Sequence, residues 1–381
     1  MKDFITLSTP NLAGNEIEYV TEALKTQWVS TGGAMITRFE NCIAEYAQSP
    51  GAVACQSGTA GLHLTLHALG IGQGDEVIVP TLTFIAAVNP VTYVGAAPVF
   101  MDCGDDLCMD ADKLEQFCAE ECSFANGVLV NKTTGKRVAA MVVVHVFGNM
   151  ADMGVLLPIA RKYNLLLIED ATEALGTRYL NGAHAGTMGD AGVFSFNGNK
   201  IITTGGGGMI VSNSKELLSR LKYLSTQAKD NEVYFIHDEI GFNYRMTNLQ
   251  AAMGVAQMEQ LEGFIQTKKR NYELYKELLC GRRGMDILPF RDDIRSNHWF
   301  YSLYLKDSDL KRDTLIDTLG KNRIQTRPVW GLIHQQKPYQ GCQAYRIEKA
   351  LDYAENIVNI PCSTDLSSED VEYVSQCILN S

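Results

Sequence analysis

Lys200 stands between a serine and a glycine run, in Gly192-Val193-Phe194-Ser195-Phe196-Asn197-Gly198-Asn199-Lys200-Ile201-Ile202-Thr203-Thr204-Gly205-Gly206-Gly207-Gly208. A short apolar strand ends at Ser195, and a small polar loop leads to the lysine. An amine in a shielded, partly desolvated pocket gives up its proton more readily and can attack an aldehyde to form a Schiff base. The glycines allow close approach of backbone to a flat ligand. The competing reading is a surface lysine in a glycine-rich hairpin.

Other windows supply matching parts. In Cys55-Gln56-Ser57-Gly58-Thr59-Ala60-Gly61-Leu62 small residues lead straight into an apolar-periodic helix. Free N–H groups and the positive end of the helix dipole make such a turn an anion site, with Gly58 and Thr59 as a phosphate cradle. A plain capped helix is the bland alternative. His63 and His67 lie four apart on that helix but lack the Glu of a zinc-protease motif, so they read as packing residues. In Ile168-Glu169-Asp170-Ala171-Thr172-Glu173, Asp170 falls at the carboxyl end of a buried strand. Ligands of open α/β sheets bind at that edge, and a carboxylate there can pair with a protonated ring nitrogen. It can instead cap the next helix. Glu173 can reach the same pocket. Ser195 can bind a phosphate, and Phe84, in Pro80-Thr81-Leu82-Thr83-Phe84, can stack on a flat ring or serve as core. A phosphate, an aldehyde, a basic ring nitrogen and a flat face together describe pyridoxal 5′-phosphate.

These residues need a frame that brings strand ends together. Apolar runs at 77–80, 98–102, 139–146, 165–170, 192–196 and 209–212 read as strands. Helical stretches at 84–94 and 153–163 lie between them. Such alternation predicts an α/β unit with a mostly parallel sheet. From Thr247 the pattern changes to one long helical stretch, 247–279. A strand at 298–305 and helices at 310–319 and 367–379 follow. The expected division is a large unit over 1–250 and a smaller α+β unit over 251–381. The segment 120–137 reads as a surface excursion, and Asp102-Cys103-Gly104-Asp105-Asp106 as a solvated strand end.

Composition narrows the function classes. The 381 residues carry a formal net charge of -11, which argues against non-specific nucleic-acid binding. The 10 cysteines form no Cys-x-x-Cys pair, so no metal site is expected and the thiols read as reduced. No stretch reaches the ~20 apolar residues of a membrane span, and the first residues have no apolar signal region. The expectation is a soluble cytoplasmic protein.

Taken together, the windows resemble the DegT/DnrJ/EryC1/StrS sugar aminotransferases, within the fold-type I pyridoxal-phosphate enzymes. The likeness runs from about Leu7 to the C-terminus. It includes Trp28-Val29-Ser30-Thr31-Gly32-Gly33, Gly74-Asp75-Glu76-Val77-Ile78-Val79-Pro80, His145-Val146-Phe147-Gly148 and Gly241-Phe242-Asn243-Tyr244-Arg245-Met246. The resemblance implies a large domain with a mostly parallel seven-stranded sheet and a smaller C-terminal α+β domain. It implies that Lys200 forms the Schiff base, Asp170 pairs with the pyridine nitrogen and Phe84 stacks on the ring. Gly58, Thr59 and Ser195 would hold the phosphate, with Asn243 supplied by the other subunit of a homodimer with shared sites. The family often has Gln or His near the cofactor hydroxyl where this chain has Glu173. Ser30, Thr31, Arg245 and His334 are candidate substrate contacts, the last two as donors to a diphosphate.

The wording is most similar to aminotransferases of nonulosonic acid pathways, of the legionaminic type. That implies glutamate as amino donor and a nucleotide-linked 4-keto-6-deoxy (N-acetyl)hexose as acceptor. A 3-keto sugar aminotransferase of the same family is the near alternative. A sugar dehydratase of this fold has histidine in place of the lysine, so Lys200 speaks against it. Gly70-Ile71-Gly72-Gln73-Gly74 is not the dinucleotide-binding spacing and precedes a strand instead of following one. The intact Lys200, Asp170 and Ser195 speak against a non-catalytic regulator.

Overall fold

A computed structural model describes residues 3–231 and 233–381. Its main sheet has ten strands. Seven of them form its centre in the order Ala52–Cys55, Gly208–Val211, Ala191–Ser195, Leu166–Asp170, Arg137–Val144, Asp75–Pro80 and Ala97–Met101. Gly208–Val211 runs antiparallel to both neighbours, and the other pairings along this row are parallel. The fold is the expected fold-type I α/β architecture. The central strands are buried along nearly their whole length, which is why they read as continuous apolar runs. Residues from beyond position 285 build a separate four-stranded sheet, ordered Asp286–Ile287, Tyr301–Tyr304, Ile357–Ile360 and Arg327–Pro328.

Four readings need correction. The stretch 84–94 is not one helix: a 3₁₀ turn at Ile85–Ala87 precedes a five-residue helix at Asn89–Tyr93. Pro90 has no N–H to continue a helix, so it starts a new one. The stretch 247–279 divides into Asn248–Met258 and Leu261–Leu279. The first of these opens with a capping box, Thr247 with Gln250. The supposed excursion at 120–137 contains a hairpin, Cys122–Ala125 with Val128–Asn131, whose second strand pairs with Arg137–Val144. Asp102 is fully buried, not solvated. It accepts hydrogen bonds from Lys113 Nζ (2.7 Å) and the N–H groups of Glu348 (2.9 Å), Lys349 (3.0 Å) and Ala350 (2.8 Å). It thereby ties the strand end to the start of the helix Lys349–Asn356. Nearby, Ala344–Tyr345 adds a parallel edge strand to Ala97–Met101.

Among the described residues, no helix is long and apolar enough to cross a membrane.

Candidate active site

The carboxyl ends of three parallel strands meet at one cavity of about 400 Å³. Asp170 closes Leu166–Asp170, Ser195 closes Ala191–Ser195, and Val144 closes Arg137–Val144; all three line it. The helix Gly58–Ala68 points its N-terminus into the same space. Ser57 caps that helix by accepting the Ala60 N–H at 3.1 Å, a bond typically worth about 1 kcal/mol. Gly58 is there for space. A Cβ would lie 2.9 Å from Thr172 Cγ2 and 3.0 Å from Ser195 Cβ. Gly207, also in the wall, holds φ at +133°, where a side chain would be strained.

Alternation along the strand separates two neighbouring carboxylates. Glu169 is used up in the core: it accepts from the N–H groups of Gly186, Met188 and Gly189 and from His145 Nε2 at 2.9 Å. His145 Nδ1 accepts the Ala151 N–H at 3.2 Å, so the ring proton facing Glu169 sits on Nε2. Asp170 points the other way, into the cavity, and accepts the Thr172 N–H at 3.1 Å. Burial pushes its carboxyl above the ordinary value, against the pull of the Thr172 bonds and Lys200.

Lys200 Nζ lies 3.6 Å from Glu173 Oε1 and 4.1 Å from the centre of the Trp299 ring. Glu173 is buried, and its other oxygen accepts the Phe147 N–H at 2.8 Å. Burial pushes the Glu173 carboxyl up to about 7, although Lys200 and the Phe147 N–H pull it down. Phe84, half exposed, stands at the open side.

Gly58, Thr59, Phe84, Asp170, Glu173, Ser195 and Lys200 therefore share one cavity. The other candidates are not among its lining residues. Asn243 is exposed and bridges to Thr226. Arg245 reaches Gln227 Oε1 at 3.3 Å and Asn243 Oδ1 at 3.4 Å, and its buried Nε has no partner. His334 Nδ1 bonds Thr81 Oγ1 at 2.6 Å, and the Ser30 carbonyl accepts the Asn248 N–H. Thr31 stays half-buried, outside the wall. His63 packs on Phe242 and bonds the Tyr244 hydroxyl at 3.0 Å, and His67 packs on Phe242. Sequence reasoning missed the opposite wall, made by Trp299, Phe300 and Trp330. The available signal was tryptophan itself: two of the three in the chain are here.

A model of the DegT/DnrJ/EryC1/StrS aminotransferase family matches residues 10–379. The chain belongs to this family. It is 38% identical over 374 residues to the GDP-perosamine synthase of Caulobacter vibrioides, covering 97% of this chain and 96% of that one. It is 29% identical over 380 residues to a UDP-4-amino-4,6-dideoxy-N-acetyl-beta-L-altrosamine transaminase of Campylobacter jejuni, covering 99% and 97%. The crystal structure of DesI in the presence of its TDP-sugar product superposes with a TM-score of 0.88 at 27% identity, covering 100% of this chain and 93% of that one. The chain is thus a pyridoxal-phosphate-dependent sugar aminotransferase. The donor set fits that cofactor: an amine, a buried carboxylate, a hydroxyl and a helix N-terminus converge on one space cleared by Gly58.

Proposed function

We propose that this family member transfers the amino group of glutamate to a nucleotide-linked 4-keto-6-deoxy (N-acetyl)hexose, in the cytoplasm, for a surface glycan or a nonulosonic acid of the legionaminic type. The observation that carries the reading is the gathering of seven candidate cofactor residues, Lys200 and Asp170 among them, around one cavity. When bound, pyridoxal phosphate supplies an aldehyde and an electron-accepting ring. Lys200 would hold that aldehyde and, when its Nζ is free, would serve as the group that takes and returns a proton. Asp170 keeps a proton on the ring nitrogen through its negative charge. Gly58, Thr59 and Ser195 would hold the phosphate, Phe84 would stack on the ring, and Glu173 would lie near the hydroxyl. Ser30, Thr31, Arg245 and His334 are proposed for the nucleotide sugar. The large unit is taken as 1–250 and the small one as 251–381.

The name of the Campylobacter jejuni relative supports a 4-amino-4,6-dideoxy product, and the names of the relatives and the structural neighbour leave three nucleotide carriers in play, GDP, UDP and TDP. Incubation with glutamate and a panel of GDP-, UDP- and dTDP-linked 3-keto and 4-keto sugars, following 2-oxoglutarate, tests the proposal. Turnover confined to 4-keto-6-deoxy sugars is expected. Turnover confined to 3-keto sugars overturns the substrate reading and leaves the cofactor chemistry untouched.

Shared sites in a homodimer form part of the same proposal, supported by the exposure of Asn243 outside the cavity. Mixing inactive Lys200→Ala with a defective Asn243→Ala protein should restore part of the activity, since hybrids carry one intact site. A fully active monomer in light scattering contradicts it.

A further inference from the structure

Trp299 is held more firmly than packing alone requires. Its indole Nε1 donates to the Asn199 carbonyl at 2.7 Å, on the loop that carries Lys200. Its backbone N–H donates to Asn297 Oδ1 at 3.0 Å, and its carbonyl accepts from the buried Lys268 Nζ at 3.0 Å. The ring stacks on Phe300 with centres 4.0 Å apart and planes 15° apart. Asn297 also donates to the carbonyls of Glu173 and Leu175, both at 2.9 Å. One buried amide therefore sets Trp299 and the Glu173 loop relative to each other. What these groups fix is the indole face 4.1 Å from Lys200 Nζ, with a carboxyl oxygen of Glu173 3.6 Å from the same nitrogen. An aromatic face and a carboxylate around one nitrogen are the partners an ammonium seeks when water is scarce.

We infer that the amine of Lys200, when not bonded to the cofactor, rests as an ammonium between the Trp299 indole face and the Glu173 carboxylate. Trp299 is then a catalytic residue, because it touches the proton-carrying atom. The inference rests on Lys200 being the cofactor-bonding lysine. No bond is made or broken at this rest position; the ammonium gives up its proton to solvent or a neighbouring base before Nζ can take one from carbon. Among the described residues, the carboxyls that act on Nζ are Glu173 and, more distantly, Asp170. Burial raises both carboxyls. The indole contributes attraction that does not itself titrate.

The test reads the amine directly. The full-length protein is loaded with pyridoxamine 5′-phosphate, which leaves Lys200 free, and treated at fixed neutral pH with acetic anhydride; peptide mapping follows acetylation of Lys200. Trp299 is replaced site-specifically by mono-, di- and trifluorotryptophan, which keep the indole's shape and N–H but weaken its negative face. An ammonium that loses this attraction spends more time as the reactive free amine. The acetylation rate should climb stepwise with fluorine number, by roughly 2- to 30-fold at the end of the series. The same series at Trp330, which shares the cavity wall, should leave the rate flat. Trp299→Leu should match or exceed the trifluoro rate. A flat response at Trp299, or an equal rise at Trp330, overturns the inference. If Lys200 is acetylated as fast with pyridoxal phosphate bound as with the pyridoxamine form, the reading of Lys200 as the bonding lysine falls, and the inference falls with it.

Discussion

Two aspartates follow buried parallel strands of this sheet and have opposite fates. Asp102 comes directly after Ala97–Met101, and Asp170 ends Leu166–Asp170. Both are almost inaccessible to solvent. Asp102 is met by an ammonium and three backbone N–H groups, from partners 11 to 248 residues away in the chain. Burial alone would push its carboxyl up; Lys113 and those N–H groups more than offset this and hold it below the ordinary range. Asp170 receives far fewer bonds, and burial wins. A carboxylate whose bonds are all taken is structural. One left facing a cavity with bonding capacity to spare is available to a ligand.

The largest effect that can break this contrast is at Asp170. Asp170→Asn should leave the fold intact and retain some cofactor, while turnover falls by several orders of magnitude, since the charge proposed to hold the ring proton would be gone. Single-turnover kinetics with a keto sugar checks this, and near-normal rates would remove the distinction between the two aspartates.

Asp102→Asn should act the other way round. It removes the charge facing Lys113 and turns one acceptor oxygen into a donor among N–H groups, at a cost of about 3 kcal/mol in stability. Turnover per folded molecule should stay near normal. The pH dependence adds a sign. A carboxyl held below its ordinary value of 3.8 contributes stability that is present above that value and lost as pH falls through the folded one. Denaturant titrations should show a shallower acid limb in Asp102→Asn than in the parent.

The smallest and most specific effect is at Glu173, where the shift runs upward. Between the ordinary 4.5 and about 7, the folded protein keeps a proton that the unfolded chain has lost. Stability that is full below 4.5 is therefore lost as pH rises to about 7. Cofactor-free Glu173→Gln should lack this decline, as judged by denaturant midpoints across that window. An unchanged slope would mean that Glu173 is not the titrating group.

The cavity's strand-side wall was largely legible, because each part of it is local. Gly58 and Thr59 follow a cap residue by one and two positions. Asp170 closes an apolar run, and Ser195 and Lys200 share a single loop. The positions of Asn243, Arg245, Ser30, Thr31 and His334 were not legible as parts of one site, and in the described chain they lie outside the cavity. The helix break before Leu261 and the pairing of the 122–131 hairpin were missed for a related reason. Apolar periodicity reports which face is buried, not what buries it.

The sequence by itself determined the alternation that builds the sheet, the capped helix start and the order of strand ends. Each depends on residues within a few positions of one another, whose backbone preferences and burial pattern act locally. Tertiary structure alone decided that Asp102 would be saturated and Asp170 left free, and that Trp299 would lie over Lys200 from 99 positions away. Those outcomes turn on which donors a distant segment brings to a buried charge. Hydrogen bonding and desolvation act over a few ångströms of space, and separation along the chain does not encode that distance.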